Sequence, residues 1–349
     1  MATATEGHSL QFRQVAGIVL AVALIALLVF GLDTGAIVDT LAGADPTLVV
    51  LALVTSLAAQ LCWSLTTATL LAGTNGSLPR HRVQLGYLSG TFGKQILPLG
   101  NVGGTAILAY VISEDLGQRF RDVFAAVTAS ELVIFAGSLG VAALGLFELV
   151  LWPRPGFDGP VVLGGSVAIL AVLVVGSALV AYRRGAVGTL VVATAAGVHW
   201  ALSPFSERVA RLVEPARVRT AVESFLTGFE AATADRRRVA VAALFGVAGW
   251  LAFGLALYYG LVAVDISLPL GLALFLAPAS GLATLLPTPG GLGSSEVGLT
   301  AVFTLLTGAS LEQAAAGVLL YRLATYWLVL TIGGLASVYL SASVWHALD

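Results

Sequence analysis

The stretch PTPGGLGSSE, Pro287 to Glu296, sits inside one of the most apolar parts of a 349-residue chain. No charged residue occurs between Ile266 and Ser295. The nearly charge-free run 266–306 exceeds the roughly 20 residues that one membrane helix needs. Yet its middle is built from poor helix formers. Proline removes a backbone donor and clashes with the preceding turn, and glycine adds backbone freedom. In hydrocarbon each unpaired backbone group costs several kcal/mol, so irregular backbone persists only against protein or a wet cavity. The break therefore predicts a polar cavity within the membrane. Ser294 or Ser295 is expected to cap the helix that follows, whose N–H groups point at the break and favour anions. For Glu296, in the first turn of that helix, two readings stay open: a partner of the helix dipole, or a cavity ligand for a cation or proton.

Composition agrees with a membrane setting. The chain is 58% hydrophobic and 10% charged, with a mean hydropathy of +0.96, where a soluble domain carries about 25% charged residues. The expected class is an all-α polytopic integral membrane protein with about six to eight membrane helices plus two re-entrant hairpins. A net charge of −2 offers no basic face for nucleic acid. The one cysteine, Cys62, forms no intrachain disulfide and reads as a small buried apolar side chain. The histidines (His8, His81, His199 and His346) have no metal-ligand spacing. No metal, no cofactor and no enzymatic activity is expected.

Apolar runs occur at 14–32, 46–79, 83–112, 123–150, 159–182, 185–206, 239–264, 266–306 and 313–341. Arginine favours the cytoplasmic side, so Arg13 places the N-terminus inside and the Asp33, Asp39 and Asp45 loop outside. Arg80 and Arg82, Arg183 and Arg184, and the seven arginines between 205 and 238 fall inside. The run 83–112 then enters and leaves by the same face, turning at KQILPLGNVGGT (Lys94 to Thr105). Residues 185–206 read as an interfacial helix. In 205–238, Val222, Phe225, Leu226 and Phe229 form one apolar stripe at helical spacing, and with Arg236, Arg237 and Arg238 this segment reads either as a helix on anionic lipid head groups or as a solvated connector between the halves.

ILPLGNVGG (Ile96 to Gly104) matches LLPTPGGLG (Leu285 to Gly293), with Pro98 on Pro287. Glu131 follows the first proline by 33 positions and Arg322 follows the second by 35. Two hairpins broken by Pro and Gly and entering from opposite faces are the signature of an inverted-repeat transporter site. The expected organisation is one membrane domain, 1–349, with halves 1–182 and 239–349 joined by 185–238. Lys94, Glu131 and Arg322 interrupt apolar spans and are expected to pair or to line the cavity. The repeat suggests that Glu131 and Arg322 approach each other. Arg322 reads either as half of a structural ion pair or as a guanidinium gripping phosphate.

PLGNVGG with Tyr110, PTPGGLGSSE, and LLYRLATYW with Gly333 and Gly334 resemble the lysylphosphatidylglycerol synthase transmembrane-region family, the flippase-like domain of multiple-peptide-resistance proteins. The resemblance covers nearly the whole chain. It implies translocation of a polar-headed lipid between leaflets of the cell membrane, and carries over Pro98, Asn101, Gly103 and Gly104, then Pro287, Pro289, Gly290, Gly291, Gly293, Glu296 and Arg322. With Lys94, Glu131, Ser294 and Ser295 these form the expected substrate-binding set. The chain departs from the family at Glu131-Leu132, where an acidic–basic pair is usual. It also lacks the aminoacyl-transferase domain, so it is not expected to make lysylphosphatidylglycerol itself. The expected partners are a membrane lipid as substrate and anionic head groups at 205–238, with a homo-oligomer or a separate lipid-modifying enzyme left open. A small-solute or ion transporter, and a scaffold for a cell-envelope enzyme, are the alternative readings.

Overall fold

A computed structural model describes residues 30–75, 78–96, 100–151, 214–281 and 288–346, with isolated positions at 19, 22–24, 164, 167–168 and 171. Among these residues every regular element is helical. Four spans are long and apolar enough to cross a membrane: Pro46–Thr74, Phe120–Leu149, Arg236–Val262 and Leu311–Ala342. The protein is an all-α polytopic membrane protein. The apolar runs 14–32, 159–182 and 185–206 fall almost wholly outside the described residues.

Carboxylates start several helices. Helix α1, Thr34–Ala42, is capped by Asp33, whose side chain accepts the Gly35 N–H at 2.9 Å. Asp45 accepts the Thr47 N–H at 2.7 Å at the head of α2, Pro46–Asn75. These bonds satisfy N–H groups that have no partner within the helix. The first hairpin is α3, Arg80–Ile96, and α4, Gly100–Leu116, packed side by side. Its open end is tied by Arg82 to Asp115 at 2.6 Å. Helix α5, Phe120–Leu151, follows.

Helix α6, Pro215–Thr233, is the amphipathic element expected within 205–238. Its phenylalanines pack inward, Phe225 meeting Phe124 of α5 at 5.6 Å between rings and Phe229 joining the core formed by α2 and α5, while Leu226 of the same stripe is exposed. Helix α7, Arg236–Val262, is capped by Asp235. The second hairpin comprises α8, Leu270–Ala279, a short 3-10 turn at Pro289–Gly291, and α9, Ser294–Thr307. Helix α10, Leu311–Arg322, passes through a π turn at Leu323–Trp327 into α11, Leu328–His346.

Helices α2 and α7 form the central antiparallel pair. The Asp45 N–H reaches the Ala263 carbonyl at 2.9 Å, Thr66 reaches Ala242 at 3.2 Å, and Arg238 reaches Ala72 at 3.0 Å. The rest packs reciprocally around this pair. Helix α3 lies on α11 as α8 lies on α5, and α4 lies on α5 as α9 lies on α10. Exchanging α2 with α7, each hairpin with the other, and α5 with the α10–α11 span maps these packed pairs onto one another. Because α2 and α7 run in opposite directions, the two halves have opposite sense. The first hairpin opens at the arginine-rich end, near Arg80 and Arg238. The second begins after Asp265, at the acidic end beside Asp45.

Candidate functional site

The described part of the second hairpin's break lies against the first hairpin. The 3-10 turn at Pro289–Gly291 packs against α3 and α4. Gly290 has φ of +56°, and a side chain there would collide with the Tyr326 ring and come within 3.1 Å of the Gln95 carbonyl. The backbone conformation and the space both require glycine. Around this junction lies a cavity of about 290 Å³. Gln60 and Trp250, at the middle of α2 and α7, line it, as do Lys94, Glu131, Gly290, Ser295, Arg322 and Tyr326. The cavity is therefore at mid-depth of the long helices.

Two ion pairs frame it. Lys94, in the last turn of α3, donates to Glu131 of α5 at 3.1 Å. Its stem lies across Gly104 of α4, where any side chain would displace it: a Cβ would come within 2.6 Å of Cγ. Arg322 donates from Nε to Glu296 Oε1 at 2.7 Å and from Nη2 to the Gly290 carbonyl at 3.0 Å. Its guanidinium stands 4.4 Å above the Tyr326 ring, a favourable cation–π arrangement. Arg322 and Glu296 are 8% and 6% exposed, so neither meets bulk water.

Two sequence-based expectations change, and one left open is resolved. Glu131 and Arg322 line one cavity but do not pair; each charge is instead neutralised by the opposite charge on the adjoining hairpin or helix. The helix cap at the break is Gly293, not Ser294 or Ser295. The second Glu296 oxygen accepts the Gly293 N–H at 2.7 Å, while Ser294 turns back to the Gly291 carbonyl at 3.0 Å. Glu296 thus serves the helix start and the arginine together, and its carboxylate is committed within the protein.

Of the remaining expected residues, Gly291 and Gly293 take positive φ and shape the turn without lining the cavity. Gly103 faces open space. Pro98 and Pro287 lie outside the described residues, and only the backbones of Asn101 and Pro289 are described.

The structure adds residues that sequence reasoning passed over. Trp63, Trp250 and Phe253 form an aromatic wall, with Trp63 rings 5.1 and 5.3 Å from the other two. Tyr87, Thr91, Ser280, Tyr321 and Thr325 also reach the cavity. Gln60 Oε1, Gln95 Oε1 and Trp63 Nε1 are buried with no hydrogen-bond partner among the described residues. Buried polar atoms are rarely left unpaired without a reason. Three of them around one cavity mark it as a place for a polar guest. The only sequence signals were a lone glutamine in an apolar run, the Lys94-Gln95 doublet, and the tyrosines flanking Arg322. The π turn directly after Arg322 turns Thr325 and Tyr326 to the same cavity; such single-turn bulges concentrate at functional sites.

The chain matches known proteins over most of its length. The family model described as lysylphosphatidylglycerol synthase TM region matches residues 14–333. A UPF0104 membrane protein of Methanothermobacter thermautotrophicus is 28% identical over 329 residues, spanning 92% of this chain and 91% of that protein.

Proposed function

The chain belongs to the lysylphosphatidylglycerol synthase TM region family, and on that premise we propose that it is a lipid translocator of the cell membrane. A polar head group crosses through the central cavity while the acyl tails remain in lipid. The observation that carries this reading is the set of unpaired polar atoms, from Gln60, Trp63 and Gln95, around a mid-depth cavity already supplied with two closed ion pairs. The charges of Lys94, Glu131, Arg322 and Glu296 cancel, so the site accepts a polar group without leaving a net charge in the membrane. The hairpins act as two re-entrant gates whose tips separate to admit the head group from either side. The chain acts as a carrier, not an enzyme, and its N-terminus lies in the cytoplasm.

Reconstitution of the whole protein into vesicles with head-group-labelled lipids tests the reading. Wild type should exchange label between leaflets. Gln60→Leu with Gln95→Leu, which removes cavity polarity and leaves both ion pairs intact, should slow exchange by at least about tenfold, the equivalent of one charge-free hydrogen bond from each side chain. Unchanged exchange in that variant rejects the cavity as the path. No exchange by wild type across phospho- and glycolipid head groups rejects lipid translocation.

A further inference from the structure

A second cavity, of about 530 Å³, lies at the arginine-rich end, between the last turns of α2 and the first turns of α7. The wall it takes from the two helices is largely apolar, formed by Leu65, Ala68, Val241 and Phe245 with Thr69 among them, and Arg80, Arg237 and Arg238 line it with Asp235 at the helix ends. We propose that this cavity holds one anionic phospholipid, its phosphate on Arg80 and Arg237 and an acyl chain along the apolar wall.

The arginines at the helix ends have different duties. Arg238 is engaged, with Nη1 on the Ala72 carbonyl at 3.0 Å and Nε 3.5 Å from Asp235. Asp235 is occupied as well, accepting the Arg237 N–H at 2.9 Å to cap α7. The Arg80 and Arg237 side chains make no hydrogen bond or ion pair among the described residues, so the cavity presents two uncommitted guanidinium groups. Guanidinium binds phosphate in a two-pronged geometry. Their position at the ends of two long apolar helices is the depth at which phospholipid head groups lie. A free phosphate would use the arginines and leave the apolar wall empty; a lipid uses both.

The opposite end of the same helix pair is closed by a different contact. There the Asp45 N–H bonds the Ala263 carbonyl at 2.9 Å, and the nearby charges are carboxylates. The central pair is thus joined backbone to backbone at its acidic end, and by side chains, Thr66 to Ala242 and Arg238 to Ala72, at its arginine-rich end. A lipid seated there would add a contact to both α2 and α7, the two helices whose middles line the central cavity. The site serves as a fixed brace and not as a station on the translocation path.

The test uses the full chain, purified in detergent and stripped of lipid, with native mass spectrometry and thermal unfolding as readouts. Added phosphatidylglycerol should bind and raise the melting temperature, and phosphatidylcholine of the same chains should bind far less. Arg80→Gln with Arg237→Gln should weaken phosphatidylglycerol binding by about fivefold for each arginine, the value of one basic residue at an anionic surface. Both side chains lie at the surface, so retained helical content and monodisperse elution will show that this variant is folded. Ala68→Phe, which fills the wall and keeps every charge, should weaken binding as well. Equal binding of phosphatidylcholine, or unchanged binding by the arginine variant, overturns the proposal. Inorganic phosphate that stabilises the protein as well as phosphatidylglycerol does would make this a free-anion site and overturn it too.

Discussion

Removing the Glu296 carboxylate takes away the only acceptor the Gly293 N–H has among the described residues and leaves the buried Arg322 guanidinium with the Gly290 carbonyl alone. Breaking one side of a buried pair costs about 3–5 kcal/mol. Glu296→Ala should therefore lower the unfolding temperature in detergent sharply. Glu296→Gln, which keeps an oxygen for Gly293, should fall between that variant and wild type. Equal melting of all three would show that the pair contributes nothing to stability. Lys94 and Glu131 differ because both face the cavity with partial exposure, 23% and 30% of each side chain. Lys94→Glu alone should abolish translocation by placing two carboxylates together, and adding Glu131→Lys should restore much of it, measured as a double-mutant cycle in the vesicle assay. Additive loss would deny the pair a functional role. The charged residues of this site were legible in sequence because a charge in an apolar span is conspicuous. Their partners were not. The repeat aligns Glu131 with Arg322, but equivalent positions are related by a symmetry operation and need not touch, and reach across the hairpin tips decided the pairing. Trp63 and Gln60 escaped notice because neither carries charge and each resembles an ordinary residue of a long apolar helix.

Hairpins are stabilised here by their neighbours more than by their own sequences. Helix α3 rests on α11, where Ser89 and Ser337 bring their hydroxyls within 2.8 Å. Hydroxyls this close put the two positions face to face across α3 and α11, the arrangement from which a disulfide can be closed by a small adjustment. Ser89→Cys with Ser337→Cys, in a Cys62→Ala background, should cross-link on mild oxidation and migrate as a more compact species until reduced. The pair Ser89→Cys with Ser341→Cys, about one helical turn further along α11, should cross-link much more slowly. The reverse order would place α3 in another register. At this scale the helix breaks were readable, since Pro and Gly clusters act locally, and so was the stripe at Val222, Phe225, Leu226 and Phe229. The surface that receives a stripe is a tertiary fact: α6 turns its phenylalanines onto α5, a choice that periodicity alone does not make.

Across the whole molecule, depth separates a re-entrant hairpin from a pair of crossing helices. Helices of 17 residues extend about 25 Å, close to the roughly 30 Å of a hydrocarbon core, so length does not decide between the two. Position does. Lys94, at the tip end of α3, meets Glu131, which is only 12 residues into α5, and the tip shares a cavity with the midpoints of α2 and α7. A hairpin that stops at mid-depth leaves its tip facing the cavity and away from the far aqueous phase. In the Cys62→Ala background, a cysteine at Gly117, between α4 and α5, should react with a bulky membrane-impermeant maleimide from one side of sealed vesicles. A cysteine at Gly308, between α9 and α10, should react only from the other side. A cysteine at Ile96 should resist the bulky reagent from both sides and react slowly with a small charged thiosulfonate that enters the cavity. Free reaction of Ile96→Cys from the Gly308 side would mean that the first hairpin crosses completely. The opposed halves would then enclose no gated chamber, and a closed ion pair at each hairpin tip would have no gate to hold shut.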